Sequence, residues 1–358
     1  METKIITLPM KAYRKEKIGL LVIPLFSEIL RSKTGFETTL ALNLSDSFEQ
    51  RYEYIKNYYQ LIKDTNINLD NVWIDTKNRE KLLNEIDKLV QLGTIKEKTK
   101  NIKRCKCGKV EIDEDISKDI AGKCYKKIDD ELYCNSCKEI AESRMEKCLV
   151  FETMKDFDVN ISAYPKGITK QINEINKKII GNDIIISRKR DTGYEYEFNG
   201  NTYNIDVDFM WQNYLSTIDD NCEKIVIGSN HTIFPMYMIN MLERYKGNNN
   251  VSFIALPHIE GLDNIDFKNL DMDSKKMTLN FLTSKMKLPS NNWNPQLYNY
   301  IEKMPKKQKD KFKEILYEHT PVNEGEDTMQ YINRIITNEL NFQKVLKKYK
   351  ILDVIEER

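Results

Sequence analysis

Apolar residues along this chain alternate between short continuous runs and a three-to-four-residue spacing, and each change of period marks an element. Ile5-Ile6-Thr7-Leu8 is a run stopped by Pro9 and reads as a strand. Ile18 to Leu30 carries helical spacing, and Thr38 to Leu44 (TTLALNL) reads as a strand that ends in polar Ser45-Asp46-Ser47. A helix follows from Arg51 to Lys63, with tyrosines at 52, 54, 58 and 59. Val72 to Asp75 is the next strand, and the helix from Asn78 to Leu92 stops at Gly93. Strand followed by helix, repeated, is the pattern of a doubly wound parallel sheet.

The pattern resumes past the middle of the chain. Asp183 to Arg188 and Tyr194 to Phe198 read as strands, with a pairing expected around Asp191-Thr192-Gly193. Lys224 to Ile227 is a strand that feeds Gly228-Ser229-Asn230-His231, and a helix rich in methionine and isoleucine runs from Phe234 to Tyr245. Val251 to Leu256 is the last strand, closed by Pro257-His258. From Asn294 onward the pattern is helical and charged, with basic runs at Lys306-Lys307-Gln308-Lys309 and Lys347-Lys348-Tyr349-Lys350. Such runs are ordinarily solvated helix faces.

Composition narrows the class. A chain of 358 residues can bury a sizeable core and suggests two or three domains. Its 56 Lys+Arg nearly cancel 55 Asp+Glu, so any nucleic-acid contact must come from a local patch and not from overall charge. The first residues lack the apolar core of a signal peptide. The run Ile18 to Leu30 is broken by Gly19, Pro24, Ser27 and Glu28, so no membrane span is expected.

Seven cysteines, four of them in two close pairs, fit a reducing, cytoplasmic setting with a metal better than a disulfide scaffold. Cys105-Lys-Cys107-Gly108 is answered by Cys134-Asn-Ser-Cys137, and four thiolates close a tetrahedral zinc sphere, leaving no position for substrate. A structural zinc is therefore expected, with Cys124 as an alternative ligand.

Only three histidines are present, at 231, 258 and 319. His231 lies just past a strand in a Gly-Ser-Asn-His turn, where open α/β sheets bind ligands. A helix-start histidine bonded to its own turn is the plainer alternative, and for His258, with no glycine turn beside it, the plainer reading is preferred. Neither GxxxxGK[ST] nor GxGxxG occurs. Lys17-Ile18-Gly19-Leu20, at a helix start, could offer backbone N–H groups to phosphate.

Taken in order, these segments resemble the catalytic core of a class I aminoacyl-tRNA synthetase, most like the glutamyl/glutaminyl type, over about residues 5–285. Lys17 to Leu20 (KIGL) occupies the place of the family's HIGH signature. Asn43 to Arg51 looks like its RIEDTDxxR segment, and Leu89 to Gly93 precedes the cysteine module as KLIxxG precedes the family's insertion. Asp183 to Tyr203 is similar to DxVIRRSDGxPTY, Ile225 to His231 to HVIRGxDH, and Phe253 to His258 to FAHLPLI. Lys276-Met277-Thr278-Leu279-Asn280 falls at KMSKS, with a shifted register through Ser274-Lys275-Lys276. The class I lysyl type is a second likeness, through Ile205-Asp206 to Trp211. Lys17 and Leu20 stand where the family has histidines, Leu279 where it has a lysine, and Ser45 and Asn43 at its glutamate-reading positions.

The resemblance implies an α/β fold: a doubly wound parallel-sheet, Rossmann-like nucleotide-binding core with a zinc-binding insertion and a C-terminal helical region. The core would span 1–100 and 151–287, the insertion 101–150 and the helices 288–358. It also implies a truncated, divergent paralogue that activates an amino acid or related carboxylate with ATP and magnesium and passes it to tRNA or another acceptor. Lys17, Lys275 and Lys276 would contact phosphates, Gly19, Gly228, Asn230 and His231 the nucleotide, and Asp46 and Arg51 the acyl substrate. Two alternatives stand beside this: an ATP-independent user of aminoacyl-tRNA, and an inactive RNA- or protein-binding relative.

Overall fold

The computed structural model describes residues 2–11, 18–45, 51–107, 111–113, 125–129, 131–158, 161–189, 193–218, 221–262, 271–284, 290–341 and 344–345. Its centre is a seven-stranded sheet in the order Ser162–Tyr164, Val251–Leu256, Cys222–Ser229, Glu2–Thr7, Glu37–Asn43. Leu42 of the last of these pairs with Met10 on one side and Ile74 on the other, so Met10–Lys11 continues the line of the first strand and Asn71–Ile74 forms the edge. Every pairing in this sheet is parallel. The chain moves outward from Glu2–Thr7 on one side, then returns to its other side at Cys222–Ser229. That reversal is the topological switch point where open α/β sheets bind ligands at their carboxyl edge.

Alternation along the strands sorts side chains onto two faces. Ile5, Ile225, Ile227, Ile254 and Leu256 join one buried cluster with the helices Val22–Thr34, Met272–Ser284 and Lys306–Tyr317. Ile6, Val226, Phe253 and Ala255 join the other, against Arg79–Gln91, Gly167–Ile179 and Ile233–Tyr245. Burying one such residue contributes roughly 1.5–3 kcal/mol, so strands apolar on both sides must lie inside the protein. The helix Gly167–Ile179 has no counterpart in the sequence reading, although Ile168, Ile172 and Ile179 form its buried stripe.

The helix Val22–Thr34 ends at Gly35, whose φ of 73° suits a residue without Cβ and lets its N–H bond Arg31 O at 2.7 Å. Arg31 Nε then reaches both carboxylate oxygens of Asp70 at 2.8 Å, and Asp70 also accepts from the Thr38 N–H and hydroxyl at 2.9 Å. These bonds tie the helix to the starts of two strands. The Arg31 hydrogen bond, helped by Thr38 and opposed by partial burial, lowers the Asp70 pKa to about 2. Its folded pKa lies below the unfolded one, so this contribution is complete above about pH 4. It is lost as pH falls toward 2. For a pair this open to solvent it is on the order of 1 kcal/mol. Acid denaturation of Asp70→Asn, followed by circular dichroism, should show that slope removed between pH 4 and 2.

A long antiparallel ribbon carries the cysteine module away from the sheet. Ile95–Arg104 pairs with Glu142–Glu152 from Ile95↔Phe151 to Arg104↔Glu142. Its foot, Ile95, Leu149 and Phe151, is in the main core. Asp183–Ile185 adds to this ribbon, while Tyr194–Phe198 pairs with Asn201–Ile205. The two strands expected to pair with each other therefore pair elsewhere, because Gly200, with φ 77°, makes the tight turn the hairpin needs. Helices Pro295–Glu302, Lys306–Tyr317 and Thr328–Arg334 form the C-terminal region. Among the described residues no helix is long and apolar enough to cross a membrane. The second basic run, from Lys347, and Cys124 lie outside the described residues.

Candidate functional site

At the switch point Leu8 N–H donates to Ile227 O at 2.8 Å, drawing the two central strands together just where they end. Gly228 closes the exit. A Cβ there would stand against Leu8 Cδ1, 2.6 Å from Thr232 Oγ1 and 2.8 Å from Met236 Cε, so any larger residue would displace these packed side chains. The Thr232 hydroxyl donates back to Ser229 O at 2.5 Å, and the helix Ile233–Tyr245 starts without a side-chain cap from Thr232. Its first N–H groups therefore face this edge with the positive end of the helix dipole.

Asn230 Oδ1 is buried in the same turn with no hydrogen-bond partner among the described residues. A buried acceptor without a donor costs about 1–3 kcal/mol, which a ligand hydroxyl or amino group would recover. His231 is exposed, and its ring centroid lies 5.5 Å from that of exposed His258, the two planes tilted by 57°. The sequence reading preferred the plainer role for His258. It stands two residues past Val251–Leu256, the strand that neighbours the one leading to His231.

The neighbouring strand exit is organised by Asp75, which is fully buried. Its carboxylate accepts from the N–H groups of Leu44, Ser45 and Thr76 at 2.8, 3.0 and 2.7 Å. Three backbone donors thus satisfy this buried carboxyl group. The Ser45 and Tyr194 hydroxyls share a 2.6 Å hydrogen bond, and the Arg79 guanidinium sits 5.4 Å over the Tyr194 ring. Asp75 was read only as a strand end; nothing in its spacing announces backbone partners thirty residues away.

Other expected site residues fall as follows. Gly19 lies in the 3-10 turn Ile18–Leu21, exposed, with open space where a Cβ would be. Lys17 and Asp46 are outside the described residues, and Arg51 begins the helix Arg51–Asp64, its side chain not among those described. Lys275 and Lys276 are buried within the helix Met272–Ser284. Lys276 Nζ donates to Asn66 O at 2.8 Å and pairs with Glu28 at 3.3 Å, while Glu28 also accepts from Asn68 N–H at 2.9 Å. The basic run at Lys306 is tied back too: Lys309 reaches Ser274 Oγ at 3.1 Å, and Lys313 reaches Asp273 at 2.9 Å.

The four cysteines meet. The sulfur atoms of Cys105, Cys107, Cys134 and Cys137 all lie within 4.8 Å of one another. Cys105–Cys107 and Cys107–Cys134 are 3.4 and 3.6 Å apart. Tetrahedral zinc with Zn–S bonds of about 2.3 Å needs S···S separations of roughly 3.8 Å, so the set fits. Burial alone would raise the Cys134 thiol. The N–H groups of Cys137 and Ser136, with the neighbouring Cys107 and Cys105 thiols, bring it down to about 6. These four residues could hold a metal ion.

The sequence matches no protein-family model. It also matches no curated protein. Solved structures do match. Mycobacterium tuberculosis methionyl-tRNA synthetase in complex with methionyl-adenylate superposes with a TM-score of 0.59 at 10% identity, over 78% of this chain and 64% of that one. A second structure of that enzyme bound by methionyl-adenylate gives 0.61 at 9% identity, over 82% and 66%. Its free form gives 0.62 at 10% identity, over 85% and 66%. This chain thus spans slightly less than two thirds of the structures it matches. The likeness is one of fold, that of these methionyl-tRNA synthetase structures.

Proposed function

We propose that this chain is a divergent class I synthetase-like enzyme that uses ATP to activate an amino acid or related carboxylate and passes the acyl group to tRNA or another acceptor. The observation that carries the reading is the turn Gly228–Thr232 at the switch point, tightly packed at Gly228 and holding the orphaned Asn230 acceptor. Those two features fit a nucleotide. Gly228 lets the turn pack tightly against Leu8, Thr232 and Met236, and Asn230 Oδ1 would accept from a ribose hydroxyl or the adenine amino group. His231 follows it in the same turn, and Gly19 is assigned to the nucleotide from the exposed turn Ile18–Leu21.

In the proposed step a carboxylate oxygen of the acyl substrate forms a bond to the α-phosphorus of ATP, and pyrophosphate leaves with the electron pair of the broken P–O bond. Charge builds on the phosphate oxygens, so catalysis asks for positioned donors and cations. Lys17 and the helix N-terminus at Ile233 are assigned that part, and Asp46 and Arg51 the acyl pocket. Lys276, already bonded to Glu28 and Asn66, is assigned to the scaffold, with Lys275 beside it in the same helix. Zinc is assigned to the four cysteines, where it would hold the module's shape and touch no substrate.

Amino-acid-dependent exchange of labelled pyrophosphate into ATP tests the proposal. The panel should cover all standard amino acids, with and without tRNA, glutamate, glutamine, lysine and methionine first. Exchange with one of them is expected. Silence across the panel, from protein that binds ATP, would sink it.

A further inference from the structure

We propose that His231 and His258 act as one unit, a two-imidazole site for the phosphate oxyanion of the nucleotide; the nucleotide as its source rests on the reading above. The chain has three histidines, and two of them meet, from the ends of neighbouring parallel strands, with ring centroids 5.5 Å apart. Both are exposed, so neither is a core residue satisfied by packing. The third, His319, lies beside Gly35, ahead of the strand Glu37–Asn43 and thus at the amino edge of the sheet.

Chemistry decides between a cation and an anion for such a pair. Two imidazoles could be neighbours on one transition-metal ion, but catalytic sites of that kind use three protein ligands. Among the described residues the only cluster of three or more potential ligands is the cysteine set. The helix Ile233–Tyr245 begins two residues after His231 with no side-chain cap. Its N-terminal partial charge opposes a metal ion and favours an oxyanion. Imidazole N–H groups from two strands supply donors that this helix end alone would lack. The pair therefore selects phosphate, and Asn230 in the same turn takes the neutral part of the nucleotide.

The test uses full-length, zinc-loaded protein. Inorganic phosphate, AMP and adenosine are titrated separately, with calorimetry and histidine-ring NMR as readouts. Phosphate should move the His231 and His258 ring signals while His319 stays still as an internal control. Because hydrogen bonds to charged groups are worth about 1.5–3 kcal/mol, His258→Gln should weaken phosphate and AMP by at least about tenfold. Adenosine binding should be unchanged in that variant, and His231→Gln should weaken phosphate to a similar extent. Phosphate that moves neither ring, or a His258→Gln protein that binds AMP like the wild type, overturns the pair. So does a nickel titration that shifts both rings when phosphate does not. If phosphate binds through both rings but AMP and adenosine do not bind, the pair stands as an oxyanion site and the nucleotide reading falls.

Discussion

Replacing Cys134 by serine, or stripping the metal with a chelator, is expected to unfold the cysteine module while the parallel sheet stays folded. The module has little else to hold it. Among the described residues its own core is Cys105, Tyr125, Leu132, Cys134 and Ala141, with Cys137 packed against them, so half of that small described interior is metal ligand. A core of that size does not support an independent fold. Structural zinc in comparable small modules contributes on the order of 10 kcal/mol at neutral pH, far above the cost of a typical point substitution. Cys134 matters most: it is buried, its N–H donates to Glu139 O at 2.9 Å, and its sulfur accepts from the Ser136 N–H at 3.3 Å. The ribbon's foot is anchored separately, because Ile95, Leu149 and Phe151 belong to the main core. Metal analysis should return one zinc per chain. Hydrogen exchange should show amides of 125–141 losing protection on chelation while those of Ile225–Ile227 and Phe253–Leu256 keep it. Protection of the module without metal, or loss of the sheet along with it, would contradict the assignment.

Much of this architecture is legible in the sequence for a physical reason. Strands such as Val251–Leu256 are buried on both faces, and an unbroken apolar run between turn residues has few other places to go. The two cysteine pairs were readable because four sulfur ligands impose their own spacing. What was not readable is pairing between distant charges. Lys276 looks from its neighbours like a motif lysine or a surface charge, yet its carboxylate partner Glu28 is 248 residues away. Asp75 and His258 follow the same rule: one bonds the N–H of Leu44, the other stands beside His231, and in each case the parallel crossover makes the meeting. The helix Gly167–Ile179 is different. Its isoleucines recur at helical spacing, so the signal was present in the sequence.

Distant charge pairing also sets the second large effect, loss of Lys246. Its ammonium lies 3.0 Å from Glu85 Oε2 and 3.8 Å from Glu243 Oε1, and it donates to Asn213 Oδ1 at 3.0 Å and Ser216 Oγ at 2.9 Å. The side chains of Lys246, Glu85 and Glu243 are 6%, 5% and 1% exposed, so this is an ion cluster inside the protein. Burial lowers the lysine's pKa, while Glu243 and Glu85 oppose that and hold the proton on. Removing the cation alone strands two carboxylates. Lys246→Met should therefore cost about 3–5 kcal/mol, the usual penalty for breaking a buried pair, and lower Tm by roughly 10 °C. Glu243 keeps neutral donors from Ser216 and Asn248, and Glu85 keeps the more exposed Lys88 at 2.6 Å. The two acids are thus unequal, and Glu243, left with neutral donors only and more deeply buried, carries more of the uncompensated charge. A Lys246→Met, Glu243→Gln double variant should recover about half or more of the loss, because the cost lies in the uncompensated charge and not in the missing contact. Equal stability of the single and double variants would place the effect in packing instead, and thermal unfolding of the two proteins side by side decides it.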